Sequence, residues 1–401
     1  MEMINNKTYF LKTLSVGCPK NMIESSTYRS ILEENGYSEV EEKNNANIVI
    51  YNTCGCLEVL QSRARTAASS TDVREHEKVI VAGCFPFIDK GNTLAKDGYE
   101  IFEPGDYNQF KKILGISEGL IVESSDFNLT DYSEQPKLVN FPVKVYEFLK
   151  SNFKNLINND SKVSRFFKSI MMTNKYFYLT LGAGCSGNCT FCGIKSAIGD
   201  PKSRSLGEIL SKFQKAIDSG KKNIWLVSDD IGSWGKDLNT NTSTLLGNLL
   251  NNTHQFNIVL NYFEPDMLLN QWEKVSPFLL DKRVEQVCIP LQTGSQKLLK
   301  KMGRHYNIKE VLKAVKKIRK DNKSIVVKSQ FIIGFPGETW KDFIMSLYAI
   351  SKFDGVGVNA YARLKYTAAY NLKPLPNIVV KLRTIIAKSF AFIMYSRVLI
   401  S

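Results

Sequence analysis

"YFYLTLGAGCSGNCTFCGI", residues 176–194, decides how the rest of the chain is read. It opens with an apolar, aromatic and β-branched run of strand length. Three cysteines follow at once, Cys185, Cys189 and Cys192, spaced C-x3-C-x2-C. Three is an awkward number. Disulfides consume cysteines in pairs, and a structural zinc site takes four protein ligands, with no fourth candidate nearby. Iron–sulfur clusters are held by thiolates at short loop spacings, and three thiolates on a four-iron cluster leave one iron open to a small molecule.

Downstream of this loop, strands and helices alternate. "NIWLVS", "NIVLNYF", "VEQVCIPLQ", "SIVVKSQFIIGF" and "GVGVNAYA" continue the strand series. Helical segments separate them: "SLGEILSKFQKAIDSG", "NTSTLLGNLLNN", "PDMLLNQWEKVSPFLL", "NIKEVLKAVKKIRKD" and "WKDFIMSLYAISKF". Six βα rounds predict a parallel sheet curled into an incomplete barrel, with chemistry at the carboxyl ends of its strands. A last helix is expected over roughly 377–398.

Upstream, a smaller α/β unit precedes the barrel. "KTYFLKTLSVGC", "ANIVIYNTC" and "KVIVAGC" read as strands, with "MIESSTYRSILEENG" and "LEVLQSRARTAASSTDVREH" as helices between them. Each strand runs into a cysteine: Cys18, Cys54 and Cys84. Ligands of open parallel sheets bind at the carboxyl ends of strands, so three distant thiols are delivered to one edge. Cys56 reads as a spare thiol and Cys288 as core.

The chain has 401 residues and a net charge of +14. No apolar run approaches the roughly 18 residues of a membrane span, and the N-terminus lacks a secretion pattern. The expected location is the cytoplasm, where its eight cysteines stay reduced. The basic excess is concentrated. Residues 136–175 carry eight Lys/Arg against Glu147 and Asp160, and residues 300–328 carry eleven against Glu310 and Asp321. Residues 373–401 carry five and no acid. Such runs are solvated helix faces or docking sites for an acidic partner.

The C-x3-C-x2-C loop, with the aromatic Phe191 before its last cysteine, resembles the radical S-adenosylmethionine (SAM) enzymes. The whole chain resembles their methylthiotransferase branch. "VGCPKNMIES", "IVIYNTCG" and "VIVAGC" look like that family's N-terminal cluster loops. "GCSGNCTFCGIKSAIGDPKSR", "SDDIGSWGKD", "IPLQTGSQKLLKKMGR", "FIIGFPGETWKDF" and "YTAA" match further family segments in order. The resemblance implies an N-terminal parallel α/β, flavodoxin-like domain at 1–130 and a basic helical linker at 131–175. A radical SAM (β/α)6 partial barrel would follow at 176–370. It implies one [4Fe–4S] cluster on Cys185, Cys189 and Cys192, and an auxiliary one on Cys18, Cys54 and Cys84. In the family one SAM donates a methyl group, and another is cleaved to a 5′-deoxyadenosyl radical that abstracts hydrogen. The hard chemistry is the cofactor's; the protein positions and shields it. Phe191, Arg204, Ser228, Asp229, Asp230 and Gln292 are candidate SAM contacts. Phe191 is expected to stack near the SAM adenine, Arg204 offers a fork for a carboxylate, and Ser228, Asp229, Asp230 and Gln292 are polar groups at strand ends. An electron donor such as a flavodoxin or ferredoxin, and a sulfur source, are implied partners.

Family branches act on an aspartyl side chain of a ribosomal protein or on adenosine in tRNA. "GCPKN" and "SDDIGSWGKD" lean to the ribosomal-protein type. After "YTAA" the residues read as helix at 371–401, where relatives carry a small TRAM-type β-barrel that grips the substrate. Asn261 stands where many relatives have arginine. The expectation is therefore methylthiolation of a peptide or protein side chain, with tRNA as the alternative, its phosphates held by the basic segments. A non-catalytic, metal-stapled binding module is the reading outside enzymology.

Overall fold

A computed structural model describes residues 7–15, 18–55, 58–88, 98–117 and 176–400. Cys56 and the basic linker 131–175 lie outside the described residues. The chain divides into two compact units.

The first unit is built on a parallel sheet of four strands, β1 (Thr8–Leu14), β2 (Ser38–Glu39), β3 (Ile48–Thr53) and β4 (Lys78–Gly83), in the order β2-β1-β3-β4. β3 is buried along its entire length. That burial requires helices on both faces, the usual arrangement for a parallel sheet. On one face Ile48, Ile50, Ile80 and Ala82 pack with Tyr28, Phe102 and Phe110. On the other, Val49, Tyr51, Val79 and Val81 pack with Ala64, Ala68 and Phe85. The alternation of these residues along each strand is the period of two that a pleated sheet imposes. Helices α1 (Pro19–Glu34), α2 (Glu58–Ser69), α3 (Phe85–Ile88) and α4 (Tyr107–Ile113) complete the layers. The helix expected over 57–76 stops at Ser69; Asp72 then caps a 3-10 turn by accepting from the Arg74 amide.

The second unit carries six parallel strands in strict sequence order. They are β5 (Phe177–Thr180), β8 (Asn223–Val227), β9 (Asn257–Leu260), β10 (Val284–Cys288), β11 (Val326–Ile333) and β12 (Gly355–Ala360). Two short strands the sequence reading did not anticipate, β6 (Gly182–Ala183) and β7 (Lys202–Ser203), form an antiparallel pair at the mouth. β5 and β12 do not pair with each other, so the curled sheet is a partial barrel open on one side.

The helices after β5 are α5 (Ile194–Ile198), α6 (Leu206–Asp218), α7 (Thr242–Leu250), α8 (Pro265–Asn270), α9 (Trp272–Leu279), α10 (Gln296–Lys301), α11 (Ile308–Asp321), α12 (Trp340–Ile350) and α13 (Asn377–Ile400). Their starts are written locally. Ser205, Asn241, Ser295, Asn307 and Thr339 each accept a backbone N–H of the first turn, Thr339 within a full capping box with Asp342. The single helix expected over "PDMLLNQWEKVSPFLL" is two, broken at Gln271, whose side chain donates to the Gly232 carbonyl. Outward strand residues such as Leu179, Leu226, Leu260, Val287 and Phe331 meet the helices in one large core. The expected terminal helix is present as α13, laid on β11, β12 and α12.

Candidate functional site

In the first unit the strand register brings the cysteines to one edge. Leu14, Thr53 and Gly83 are paired across β1, β3 and β4 as the last residues of their strands. Cys54 and Cys84 come next, each donating its amide one strand over, to Leu14 and Thr53 at 3.2 and 3.0 Å. Adjacent strands lie about 4.8 Å apart, so the two thiols start from neighbouring positions on one sheet edge. Cys18 caps the N-terminus of α1, four residues past β1. Asn52 and Asn21 brace this edge: the Asn21 amide donates to Asn52 Oδ1 at 3.0 Å and to the Thr53 carbonyl at 3.1 Å.

The edge leaves no room at Gly83. Its φ is +85°, and a Cβ there would fall 2.2 Å from the Thr53 carbonyl oxygen. Gly83→Ala is therefore expected to displace the strand ends that present Cys54 and Cys84. The predicted result is loss of bound iron from this unit with all cysteines intact, measured as iron per chain after anaerobic reconstitution.

In the second unit the cysteine loop is pinned on both sides. The Gly184 amide donates to Asp229 Oδ2 at 2.8 Å, and the Ser186 hydroxyl lies 2.7 Å from that of Ser233. Lys236 donates to Ser186 Oγ at 3.0 Å. At the far end Thr190 donates through its amide to the Met302 carbonyl and through its hydroxyl to that of Lys301, at 3.0 and 2.9 Å. A Cβ added at Gly187 would sit 3.3 Å from Cys185 Sγ and 3.7 Å from Cys189 Sγ, so the two sulfurs flank that glycine. The Gly187 amide donates to Cys185 Sγ at 3.3 Å, and the Ile194 amide to Cys192 Sγ at 3.4 Å. Such donors favour the thiolate form, the form that ligates metal.

Arg304 was hidden in a basic run of the sequence. It is buried, pairs with Glu264 at 2.5 Å and lies 5.8 Å from the Phe191 ring centroid. Burial pushes the Cys189 thiol up, and the charge and hydrogen bond of Arg304 pull it back. Glu264 in turn caps α8, accepting from the Asp266 and Met267 amides. This Arg–Glu pair joins residues forty positions apart, so no local pattern announces it.

The candidate SAM contacts are distributed unevenly. Ser228, Asp230 and Ser233 line a small open cleft with Gly182, Gly184 and Ser203. Within it Asp230 is already engaged: it accepts from the Ser233 hydroxyl and from the Glu264 and Gly232 amides. Burial pushes its carboxyl up against those bonds. Asp229 serves the cysteine loop. Arg204 pairs with Glu208 at 3.3 Å. Gln292 sits at φ +66°, and its amide and carbonyl bridge to the backbone of Gln330 and Ile332.

Among the described residues no group of three His, Cys, Asp or Glu side chains could hold a single metal ion. Thiolate sulfur is the donor that iron–sulfur clusters take, and each triad offers three free thiols.

Comparison with known proteins accords with this geometry. Residues 179–347 match the model of the radical SAM superfamily, and residues 8–102 match the uncharacterized protein family UPF0004. Ribosomal protein uS12 methylthiotransferase RimO of Thermotoga sp. (strain RQ2) is 30% identical over 365 residues, covering 89% of this chain and 77% of that one. The chain belongs to the methylthiotransferases. A probable threonylcarbamoyladenosine tRNA methylthiotransferase of Pyrococcus horikoshii is 28% identical over 373 residues, 92% of this chain and 80% of its own. Among solved structures, the radical SAM methyltransferase TsrM of Kitasatospora setae aligns over 91% of this chain with a TM-score of 0.57 at 13% identity, a likeness of fold alone. As a radical SAM methylthiotransferase this protein is an enzyme that uses SAM and [4Fe–4S] clusters. No described helix is long and apolar enough to cross a membrane.

Proposed function

We propose that this methylthiotransferase inserts sulfur and a methyl group at an unactivated C–H bond of a peptide or protein side chain. Cys185, Cys189 and Cys192 hold the cluster that binds SAM, and Cys18, Cys54 and Cys84 hold the auxiliary cluster. The observation that carries the reading is the placement of two cysteine triads at the carboxyl ends of two parallel sheets. When bound, the clusters supply the electron that opens SAM and the site where sulfur is carried.

The protein's own groups do the rest. The Gly187 and Ile194 amides hold negative charge on Cys185 and Cys192. Arg304 does the same for Cys189 and lies 5.8 Å from the Phe191 ring centroid. Asp229, Ser233 and Thr190 hold the loop that carries all three. SAM is met at the pocket beside Ser228 and Ser233.

A protein substrate is favoured by the relatives named for ribosomal protein uS12. The tRNA reading has its own support in the Pyrococcus relative and in α11, whose Lys309, Lys313, Lys316, Lys317 and Lys320 are all exposed. Anaerobic incubation with SAM, sulfide and either ribosomal-protein peptides or tRNA, followed by mass spectrometry for an added S-CH3, separates them. Label on a peptide side chain is the expected result. Label on adenosine alone would reassign the substrate.

A further inference from the structure

Two helices on the outside of the barrel carry a surface that the cysteine chemistry does not use. α13 bears apolar residues on both of its faces, and a helix of that kind is normally buried all round. Its inner face joins the main core through Ala387 and Ala391, with Ile386 and Phe390 packed against it. Its outer face does not. Ile378, Leu382, Ile385 and Phe392 are exposed, Ile378 by 73% and Phe392 by 67%. α12 repeats the pattern. Phe343, Ser346, Ala349 and Ile350 are buried, while Trp340, Ile344, Met345 and Tyr348 stay exposed. Arg383 reaches from α13 over the Trp340 ring, so the two outer faces adjoin. Among the described residues, the large apolar side chains left exposed lie on these two helices and at Leu372 just before α13, with only Val59 and Leu238 elsewhere. A concentration of this kind marks an interaction site.

The charge on this surface has one sign. α13 contains no acidic residue, and its Lys381 and Lys388 are exposed. At about 3.6 residues per turn, Ile378, Ile385 and Phe392 fall in one row, with Leu382 to one side of it and the two lysines to the other. On α12, Lys341 is exposed, and Lys352 lies over the Tyr348 ring at 4.3 Å. The acid of α12, Asp342, is buried and accepts from the Ser295 and Thr339 hydroxyls. An apolar row edged by lysines is the pattern of a helix lying in an anionic bilayer surface: the apolar side chains enter the acyl boundary, and the ammonium groups reach back to phosphate. Trp340 and Tyr348 are the aromatic types that gather at that depth.

We propose that the outer face of α12 and α13 is a docking surface for the anionic lipid headgroups of a membrane, which holds the enzyme on the bilayer without spanning it. Charge complementarity selects this occupant. A second copy of the chain would set the same lysines against one another, and the basic segment 136–175 would also bring like charge. A nucleic acid would answer the lysines but leave the apolar rows in water. An anionic bilayer answers both together. The inference stands apart from the choice of methylthiolated substrate.

The test is flotation of the anaerobically reconstituted enzyme with vesicles of phosphatidylcholine alone or of phosphatidylcholine mixed equally with phosphatidylglycerol. The wild type is expected to float with the mixed vesicles and to stay behind with the neutral ones, and its binding should weaken as salt rises. Ile385→Ser/Phe392→Ser should weaken binding by about tenfold or more, through lost apolar burial. Lys381→Gln/Lys388→Gln should weaken it by about tenfold. Lys309→Gln/Lys313→Gln, on the equally basic α11, should leave it unchanged. All six side chains are exposed and lie outside the cysteine loops, so iron content and 5′-deoxyadenosine formation should stay at wild-type levels. Failure to float with either vesicle, equal flotation with both, or a loss in the α11 variant matching that of the α13 variants would overturn the inference. So would a dimer that Ile385→Ser/Phe392→Ser dissociates, because a second copy would then own the face.

Discussion

Alanine at Cys185, Cys189 or Cys192 is expected to abolish SAM cleavage outright, whereas alanine at Cys84 is expected to leave it intact. The two triads follow strands of separate sheets, so each is expected to be emptied by itself. Wild-type enzyme should carry roughly eight iron atoms per chain, two cubanes' worth, and each variant roughly four. Only the Cys84 variant should still form 5′-deoxyadenosine, and neither should deliver S-CH3. Both readouts come from one anaerobic preparation: iron by colorimetry, nucleoside by chromatography. Cys54→Ala should copy Cys84→Ala. If it does not, Cys56 stands in for Cys54, and the double variant would show it.

The second large effect lies far from the cysteines. Arg383 on α13 donates to the Glu338 carboxylate at 2.8 Å and to its backbone carbonyl at 2.9 Å. Both side chains are almost fully buried, at 4% and 0% exposure. The guanidinium also covers the Trp340 ring at 4.5 Å. Glu338 accepts from the Gly334 amide, so the pair ties α13 to the turn that ends β11. Arg383→Met strands a buried carboxylate, and breaking such a pair costs about 3–5 kcal/mol. Arg383→Met/Glu338→Gln should recover part of this, as urea unfolding of the two variants would reveal. Burial already pushes the Glu338 carboxyl up, against the pull of Arg383. Without Arg383 it should titrate higher still. The stability deficit should therefore grow as pH rises through that raised value and shrink below it. A deficit that ignores pH would mean the loss is one of packing alone.

The barrel strands were legible because each is a short, continuous apolar run that must be buried on both faces, and the helix starts because Ser, Asn and Thr cap them locally. The cysteine triads were legible from spacing and from their position after strands. What escaped was set by distance along the chain. Arg304 and Arg383 were counted into basic runs as if solvated. They instead meet Glu264 and Glu338, forty and forty-five residues away. The same runs do hold solvated lysines, on the outer face of α11. Charge alone cannot tell the two apart, because burial of a cation is decided by its partner. Asp229 and Asp230, read as cofactor contacts from their place at a strand end, also accept hydrogen bonds from the neighbouring loops, which the sequence does not announce.

The missing closure between β5 and β12 carries its own implication. A sealed cylinder must be entered from an end, so it admits small molecules or the loose terminus of a chain. A trough missing one stave can be loaded sideways. A continuous strand of polymer can be laid into it and lifted out again without being threaded, and the residue to be altered need not lie near either tip.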